Sequence, residues 1–199
     1  MKYRAEIDGL RALAVIPVIL FHAGLELFSG GFVGVDMFFV ISGYLITTII
    51  VEDIKSNRFS IGNFYERRIR RIIPPLYLMM LFVFTWAFLF WSPYDTRNVA
   101  QSIVATTIFS NNLLLAFEGD DYFNMLSLSI DVNPLLHTWS VAVEEQFYFI
   151  YPLLLLILFG PQRWLFLSII TGLFISSFYF GLVHNGDSNI GFYMPNYRA

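Results

Sequence analysis

The first residues that could do chemistry are an arginine and a histidine in the first apolar segment. Arg11 and His22 are eleven residues apart, which in an α-helix is about 20° more than three turns and a rise of about 16 Å. The spacing predicts that they share one face, with His22 far along the segment. Ionisable groups in such segments usually face a polar site, and an imidazole there could act as a base. A histidine that only bonds a neighbouring carbonyl is the alternative.

A run of four arginines, in which only Glu66 offsets the charge, forms a second group: Arg67, Arg68, Arg70 and Arg71. Arg67, Arg70 and Arg71 are spaced to lie on one helical face. Guanidinium groups bind phosphate oxygens in pairs, so the run predicts a site for a phosphorylated ligand on the cytoplasmic side. A basic run beside a membrane segment can also serve only as a topology signal or a contact for anionic lipids.

A third group lies on a helix that we expect to begin with Asn133 as N-cap and Pro134 in the first position. Three polar side chains fall on one stripe of this helix and a second carboxylate lies beside them: His137, Ser140, Glu144 and Glu145. Adjacent carboxylates at the start of an apolar span need partners. They could hold the tautomer of a histidine, accept a proton or merely pair with an arginine from the first apolar segment.

Asp36 lies in a glycine-containing apolar segment. Gly31, Gly34 and Gly43 allow close helix approach, so packing alone explains them. Packing does not explain Asp36, which we expect near the outer mouth of its segment, at a depth that His22 could share.

The composition indicates the kind of element that positions these groups. Of 199 residues, 57% are hydrophobic, 19% are aromatic and only 14% are charged, whereas soluble domains have about 25% charged residues. We therefore expect a protein embedded in a bilayer. The absence of cysteine excludes thiol catalysis and disulfides, and the net charge of -3 argues against nucleic-acid binding. The three histidines are far apart, so no metal site is predicted.

Six apolar runs are candidate membrane segments: 12–28, 31–51, 75–91, 99–117, 138–159 and 164–183. They predict an all-α integral membrane protein, a polytopic helical bundle of five or six membrane segments in one domain. The first segment is interpreted as retained, since no cleavage site follows it.

The cations predict the orientation of the chain. Ten of the twelve Lys and Arg residues lie in three stretches, 2–11, 55–71 and position 163, and the positive-inside rule assigns these stretches and the N-terminus to the cytoplasm. Six full spans would put position 163 outside. We therefore expect the most polar candidate, 99–117, to be re-entrant or interfacial; it contains Gln101, Ser110, Asn111 and Asn112.

Four stretches, in this order, resemble the membrane acyltransferase-3 family, the integral-membrane O-acyltransferases of bacterial surface glycans. They are YRAEIDGLRALAV at 3–15 followed by His22, GVDMFFVISGYL at 34–45, FYERRIRRIIP at 64–74, and 134–152 with HTWS and EEQFY. Each stretch alone is a modest match. Together they cover almost the whole chain, and four in sequence are highly specific.

The resemblance implies a reaction and a location. Acetyl-CoA or another acyl-CoA would be the donor, with no permanently bound cofactor. The acceptor would be a hydroxyl of an extracytoplasmic glycan such as O-antigen, another polysaccharide or peptidoglycan. The protein would lie in the bacterial inner membrane with its N-terminus in the cytoplasm.

The resemblance also implies roles for residues. His22 matches the family's active-site histidine, and the Arg-x-x-Arg motif fits both Arg67/Arg70 and Arg68/Arg71. His22 would be the base or a transient acyl carrier, and Arg11 would bind CoA together with the arginine run. The carboxylates expected to orient His22 or bind the sugar are Glu144, Glu145 and Asp36. The remaining candidates for substrate contact are Ser42, His137 and Ser140.

Domains of this family carry more membrane helices than this chain. Residues 1–199 are therefore expected to be the N-terminal half of such a domain, with the C-terminal helices missing. Two alternatives stay open. An intramembrane histidine and paired carboxylates also suit a proton-coupled transporter, and the chain could be an inactive truncated membrane fragment.

Overall fold

The computed structural model describes residues 4–118, 133–158, 163–183 and Tyr193. Within these ranges every regular element is a helix, which confirms the predicted all-α class. The chain divides into two compact units, Met1–Phe64 and Tyr65–Ala199.

The first unit is a helical hairpin. Helix α1 is Ala5–His22 and helix α2 is Gly34–Lys55; the connection contains two 3₁₀ turns, Glu26–Phe28 and Gly31–Val33. The predicted segment 12–28 is wrong at both ends. The helix starts earlier, and it ends at His22 because Gly24, with a φ of 76°, takes a left-handed conformation that ends a helix. His22 is therefore the last residue of α1.

Two glycines allow the arms of the hairpin to touch through their backbones. A Cβ atom at Gly34 would overlap the carbonyl oxygen of Ala14, and one at Gly31 would overlap the carbonyl oxygen of Pro17. No described atom lies within 4 Å of the Cβ position at Gly43, so no such obstacle is found there. The packing interpretation is thus confirmed at Gly31 and Gly34 and wrong at Gly43.

The second unit holds most of the remaining helices. Helix α3, Ile61–Phe90, begins just before the boundary and carries the arginine run in its first turns. The other helices are α4 (Pro93–Thr107), α5 (Asn111–Glu118), α6 (Thr138–Leu158) and α7 (Arg163–Val183). A buried apolar cluster joins α3, α4 and the turn before α6; it consists of Leu76, Met80, Ala87, Val99 and Leu135.

The predicted segment 99–117 is broken into two helices. Helix α4 ends at Thr107, and α5 starts at Asn111. Between them, Phe109 has a φ of 52°, a left-handed conformation that no continuous helix contains. We call residues 107–112 the elbow. Because of this break, no single continuous helix runs through 99–117, which agrees with the expectation of a re-entrant segment. The path of the segment through a membrane stays a prediction.

The start of α6 also differs from the prediction. Residues 134–137 form a turn, and the helix begins at Thr138. The side chain of Asn133 accepts a hydrogen bond from the backbone of Leu135 (3.0 Å), so Asn133 caps this turn and not the helix. The carbonyl of Leu135 is occupied by the side chain of Thr138 at 2.7 Å, which stabilises the turn.

Two helical segments of the described residues are long and apolar enough to cross a bilayer, Gly31–Lys55 and Ile61–Phe90. They correspond to the predicted segments 31–51 and 75–91. The count of five or six membrane segments stays a prediction.

Candidate active site

His22 ends α1 with its tautomer defined by a backbone hydrogen bond. Its Nδ1 lies 2.8 Å from the carbonyl oxygen of Val18. A carbonyl oxygen can only accept, so Nδ1 carries the hydrogen and donates it. Nε2 is then the basic nitrogen of the neutral ring, the one that can take a proton. The edge of the ring packs against Phe21, with 5.3 Å between the ring centroids.

Arg11 lies on the same helix and contacts α2. The Cζ atom of its guanidinium is 5.1 Å from the centroid of the Phe38 ring, which is within cation–π range. Its Nε is buried and has no hydrogen-bond partner within the described ranges. The guanidinium group of Arg11 therefore stacks on Phe38 and keeps one buried donor without a partner in these ranges.

Asp36 and Ser42 lie on α2 of the same hairpin. Asp36 is half-buried and follows Gly34 by two residues, a rotation of about 200° about the helix axis. Its backbone position is therefore on the side of α2 away from Ala14. Ser42 is only 3% exposed, and its Oγ has no hydrogen-bond partner in the part of the chain that the structure describes. The predicted roles of both residues stay predictions.

Arg4 joins the two arms of the hairpin at the end away from His22, a contact that sequence reasoning did not find. Its Nη1 donates to the hydroxyl of Tyr44 (3.0 Å) and its Nε to Glu6 (2.8 Å). Glu6 precedes the predicted membrane segment 12–28. The guanidinium of Arg4 holds the pKa of the Glu6 carboxyl below its usual range. No spacing rule links Arg4 to Tyr44, which is forty residues away.

The structure separates the four arginines of α3, which spacing alone left equivalent. Arg67, Arg70 and Arg71 are exposed, and Arg70 pairs with Glu66 one turn away (2.7 Å). Arg68 is half-buried. Its Cζ atom lies 3.5 Å from the centroid of the Tyr148 ring on α6. Arg68 is thus the arginine of this run that packs against α6 in a described contact.

Arg68 belongs to a group of charged and aromatic side chains that we call the carboxylate group: Arg68, Glu144, Glu145 and Tyr148. The hydroxyl of Tyr148 donates to Oε1 of Glu144. Glu145 is half-buried, and its Oε1 has no hydrogen-bond partner among the described residues. The positive charge of Arg68 and the negative charge of Glu144 both act on this carboxylate. Among the described residues, the arginine whose charge acts on Glu145 lies on α3; a pairing of these carboxylates with an arginine of the first segment stays a prediction.

His137 and Ser140 lie at the start of α6. His137 is exposed and belongs to the turn, so the predicted helical stripe from His137 to Glu144 is wrong at its first residue. The hydroxyl of Ser140 donates to the carbonyl of His137 at 3.0 Å. The predicted contacts of both residues with substrate, and the predicted link from Glu144 or Glu145 to His22, stay predictions.

A buried polar network around the elbow was also missed by sequence reasoning. Asn111 and Asn112 are fully buried. The sequence predicted only that their segment is polar, not that they are buried. The amide of Asn111 donates to the Thr138 hydroxyl (2.8 Å) and to the carbonyl of Leu135 (3.1 Å). Two adjacent amide side chains in an apolar stretch could have indicated this network, because buried amides require hydrogen-bond partners.

These observations agree with the comparisons of the chain with known proteins. The family model described as "Acyltransferase domain" matches residues 4–197. The chain therefore belongs to this acyltransferase family, and the resemblance found in the sequence is confirmed. The members of the family are membrane proteins, in agreement with the two long apolar helices.

Two curated relatives are similar over most of the chain. The peptidoglycan O-acetyltransferase OatA of Listeria monocytogenes is 41% identical over 157 residues, which are 78% of this chain and 25% of the relative. The O-acetyltransferase OatA of Staphylococcus aureus is 37% identical over 180 residues, 88% of this chain and 28% of the relative. The chain thus spans about a quarter of their length. No solved structure matches.

Proposed function

We propose that the complete protein is a membrane O-acetyltransferase that moves an acetyl group from acetyl-CoA to a hydroxyl of peptidoglycan. The family and the names of the relatives support this reaction class. The structural observation that carries the proposal is the tautomer of His22, which leaves Nε2 as a base at the end of a helix that also holds Arg11.

The proposed chemistry is a balanced acyl transfer. Nε2 of His22 removes the proton from the acceptor hydroxyl, and the oxygen attacks the thioester carbonyl of acetyl-CoA. The bond from carbon to sulfur breaks, and the proton passes from His22 to the leaving thiolate. The products are an O-acetylated sugar and CoA. A positioned general base of this kind contributes about 10²–10⁴-fold to a rate.

The donor is assigned to arginines. Arg11 has a donor with no described partner, and the exposed Arg67 and Arg71 lie one turn apart on α3. Guanidinium groups bind phosphates in pairs, so Arg67 and Arg71 suit the phosphates of CoA, whereas the role of Arg11 toward CoA rests on the family resemblance. Replacement of Arg67 and Arg71 by Gln should weaken CoA binding. Replacement by Lys should restore only part of the CoA affinity, since the bidentate geometry is lost.

Peptidoglycan is the proposed acceptor because the name of the Listeria relative states it. The names of the matched relatives give no support to O-antigen or lipopolysaccharide as the acceptor. The acceptor would be modified outside the inner membrane, with the N-terminus of the chain in the cytoplasm.

This orientation can be tested in a chain without cysteine. Single cysteines at Ser56 and at Asp121, which lies outside the described residues, should react differently with an impermeant thiol reagent applied to intact cells. We expect labelling at position 121 and not at position 56. Protection at position 121 would show six full spans and contradict the proposed orientation.

Transfer of label tests the reaction class. The complete protein in proteoliposomes is given acetyl-CoA labelled in the acetyl group, together with peptidoglycan fragments. We expect labelled glycan and one free CoA thiol for each acetyl group transferred. Proton-coupled uptake without transfer would instead identify a transporter, and the absence of both activities would contradict the proposed function.

A further inference from the structure

Gln146 ties α6 to the elbow through both hydrogens of its side-chain amide. Nε2 donates to the carbonyl of Phe109 at 2.8 Å and to Oδ1 of Asn112 at 2.9 Å. Both donors of the Gln146 amide are therefore used, and both acceptors lie in the elbow. Gln146 directly follows Glu145 in the sequence.

The elbow is itself held firmly. Phe109 keeps a left-handed conformation that is unfavourable for a residue with a side chain. Its side chain packs against the apolar cluster of α3 and α4, while its carbonyl bonds Gln146. Such a conformation persists only where several contacts support it, so the elbow is a rigid partner for α6.

A second set of bonds holds the start of α6 to the same elbow. The hydroxyl of Thr138 donates to the carbonyl of Leu135, so the hydrogen between Thr138 and Thr106 (3.0 Å) must come from Thr106. Thr138 also accepts from Asn111. All these side chains are buried, and buried bonds of this kind are costly to break.

The two sides of α6 face different partners. Adjacent helical residues point about 100° apart, so the face with Gln146 meets the elbow while Glu145 and Tyr148 point toward α3. On that side the hydroxyl of Tyr65 donates to the carbonyl of Phe149 (2.8 Å), and Arg68 stacks on Tyr148. A bond that fixes Gln146 therefore also fixes the direction in which Glu145 projects.

We propose that Gln146 is a positioning residue for acyl transfer: bonded to Phe109 and Asn112, it sets the rotation of α6 and so the place of the Glu145 carboxylate beside Arg68. The inference rests on the proposed acetyl transfer. It requires no contact between Gln146 and either substrate. Loss of the amide would let α6 rotate and would move Glu144 and Glu145 together.

A graded series of variants of the complete protein tests this role. Gln146→Leu removes both bonds, and Asn112→Ala removes one of the two acceptors together with the long bond from Asn112 to the carbonyl of Tyr193 (3.4 Å). The matched control is Gln101→Leu, at an exposed glutamine of α4. We expect kcat per folded enzyme to fall about tenfold or more in Gln146→Leu, about threefold in Asn112→Ala, and not in the control. The KM for acetyl-CoA should stay within about twofold of wild type, because no donor contact is lost.

The double variant provides a second criterion. If both residues act through one bond, Gln146→Leu combined with Asn112→Ala should be no slower than Gln146→Leu alone. Asn112→Ala keeps the bond to Phe109 and remains informative if Gln146→Leu does not fold. Reduced amounts of protein with unchanged kcat, or effects that multiply, would overturn the positioning role. A wild-type protein without acetyl transfer would instead contradict the proposed function.

Discussion

In the α1–α2 hairpin and in the α4–α6 region, neighbouring helices are held together by different kinds of contact. In the hairpin, glycines let backbone touch backbone at Ala14 and Pro17. A hydrogen bond from Arg4, which directly precedes α1, to Tyr44 of α2 also ties the two arms together. In the α4–α6 region, buried amides and hydroxyls join the helices, through Asn111 and Gln146 above all.

Both devices are known among membrane helices, where small residues allow close approach and polar side chains bond across helices. They fail in different ways. A backbone contact leaves no room for an added methyl group, so substitutions act through overlap. A hydrogen-bond network leaves unpaired buried groups when one member is removed, so substitutions act through desolvation. The candidate base lies in the first region and the carboxylate group in the second.

The largest effect is expected in the hairpin. Gly34→Ala places a methyl group on the carbonyl of Ala14, and neither backbone can yield without separating the helices. We expect a loss of about 3 kcal/mol or more in the free energy of unfolding, as for severe overpacking. Thermal unfolding in detergent would measure it. The control is Gly43→Ala, which has open space at its Cβ and should gain about 0.5–1 kcal/mol from helix propensity. Equal behaviour of the two variants would contradict the close approach.

A smaller loss is expected from the network around the elbow. Asn111→Ala removes two donors and leaves the carbonyl of Leu135 and the hydroxyl of Thr138 with one bond fewer each. We expect about 2 kcal/mol of destabilisation in the same unfolding measurement. Asn98, which is exposed on α4, supplies the control: Asn98→Ala should stay within about 0.5 kcal/mol. Because Asn→Ala improves helix propensity, a loss of equal size at Asn98 would show that the effect does not come from the buried network.

Tyr148 allows the stacking and the hydrogen bond of the carboxylate group to be separated. Tyr148→Phe keeps the ring beneath Arg68 but removes the donor to Glu144, and we expect a loss of about 1 kcal/mol. Tyr148→Leu removes both interactions and should lose about 1 kcal/mol more. Tyr94→Phe, at a ring that is 72% exposed, should change nothing. Equal stability of the Phe and Leu variants would exclude a contribution from the stacking.

The smallest effect is expected at Glu6. Its pKa is lowered by Arg4 in the folded protein, so the pair contributes stability above the ordinary carboxyl pKa of 4.5, and the contribution is lost as the pH falls through the lowered value. Both groups are exposed and screened by salt. We therefore expect Glu6→Gln to lower the unfolding midpoint only slightly at neutral pH, and a large shift would show that this end of the hairpin is more rigid than its exposure indicates.

The sequence predicts the elements better than the contacts between them. The helical class and the apolar cores of α2 and α3 follow from composition and run length, and the family follows from four motifs. The end of α1 at His22 depended on the conformation of Gly24, and the delayed start of α6 depended on Thr138 taking the carbonyl of Leu135.

Within the candidate site, spacing predicted that the arginines lie on a helix but could not distinguish Arg68 from its neighbours. That difference depends on Tyr148, eighty residues away on another helix. The hydrogen-bond partners of Gln146 could not be predicted from the sequence either. Phe109 accepts through its backbone carbonyl, whose position no side-chain pattern reveals.

Acetyl transfer by a His22→Ala variant of the complete protein tests the central claim most directly. Label is followed from acetyl-CoA to peptidoglycan fragments, per folded enzyme, beside wild type and a His184→Ala variant at a histidine with no assigned role. Because a general base is lost, we expect a fall of at least about 100-fold for His22→Ala, with CoA affinity and the His184→Ala rate unchanged. Transfer at the wild-type rate by His22→Ala would contradict it and would leave His22 as a histidine that merely bonds the carbonyl of Val18.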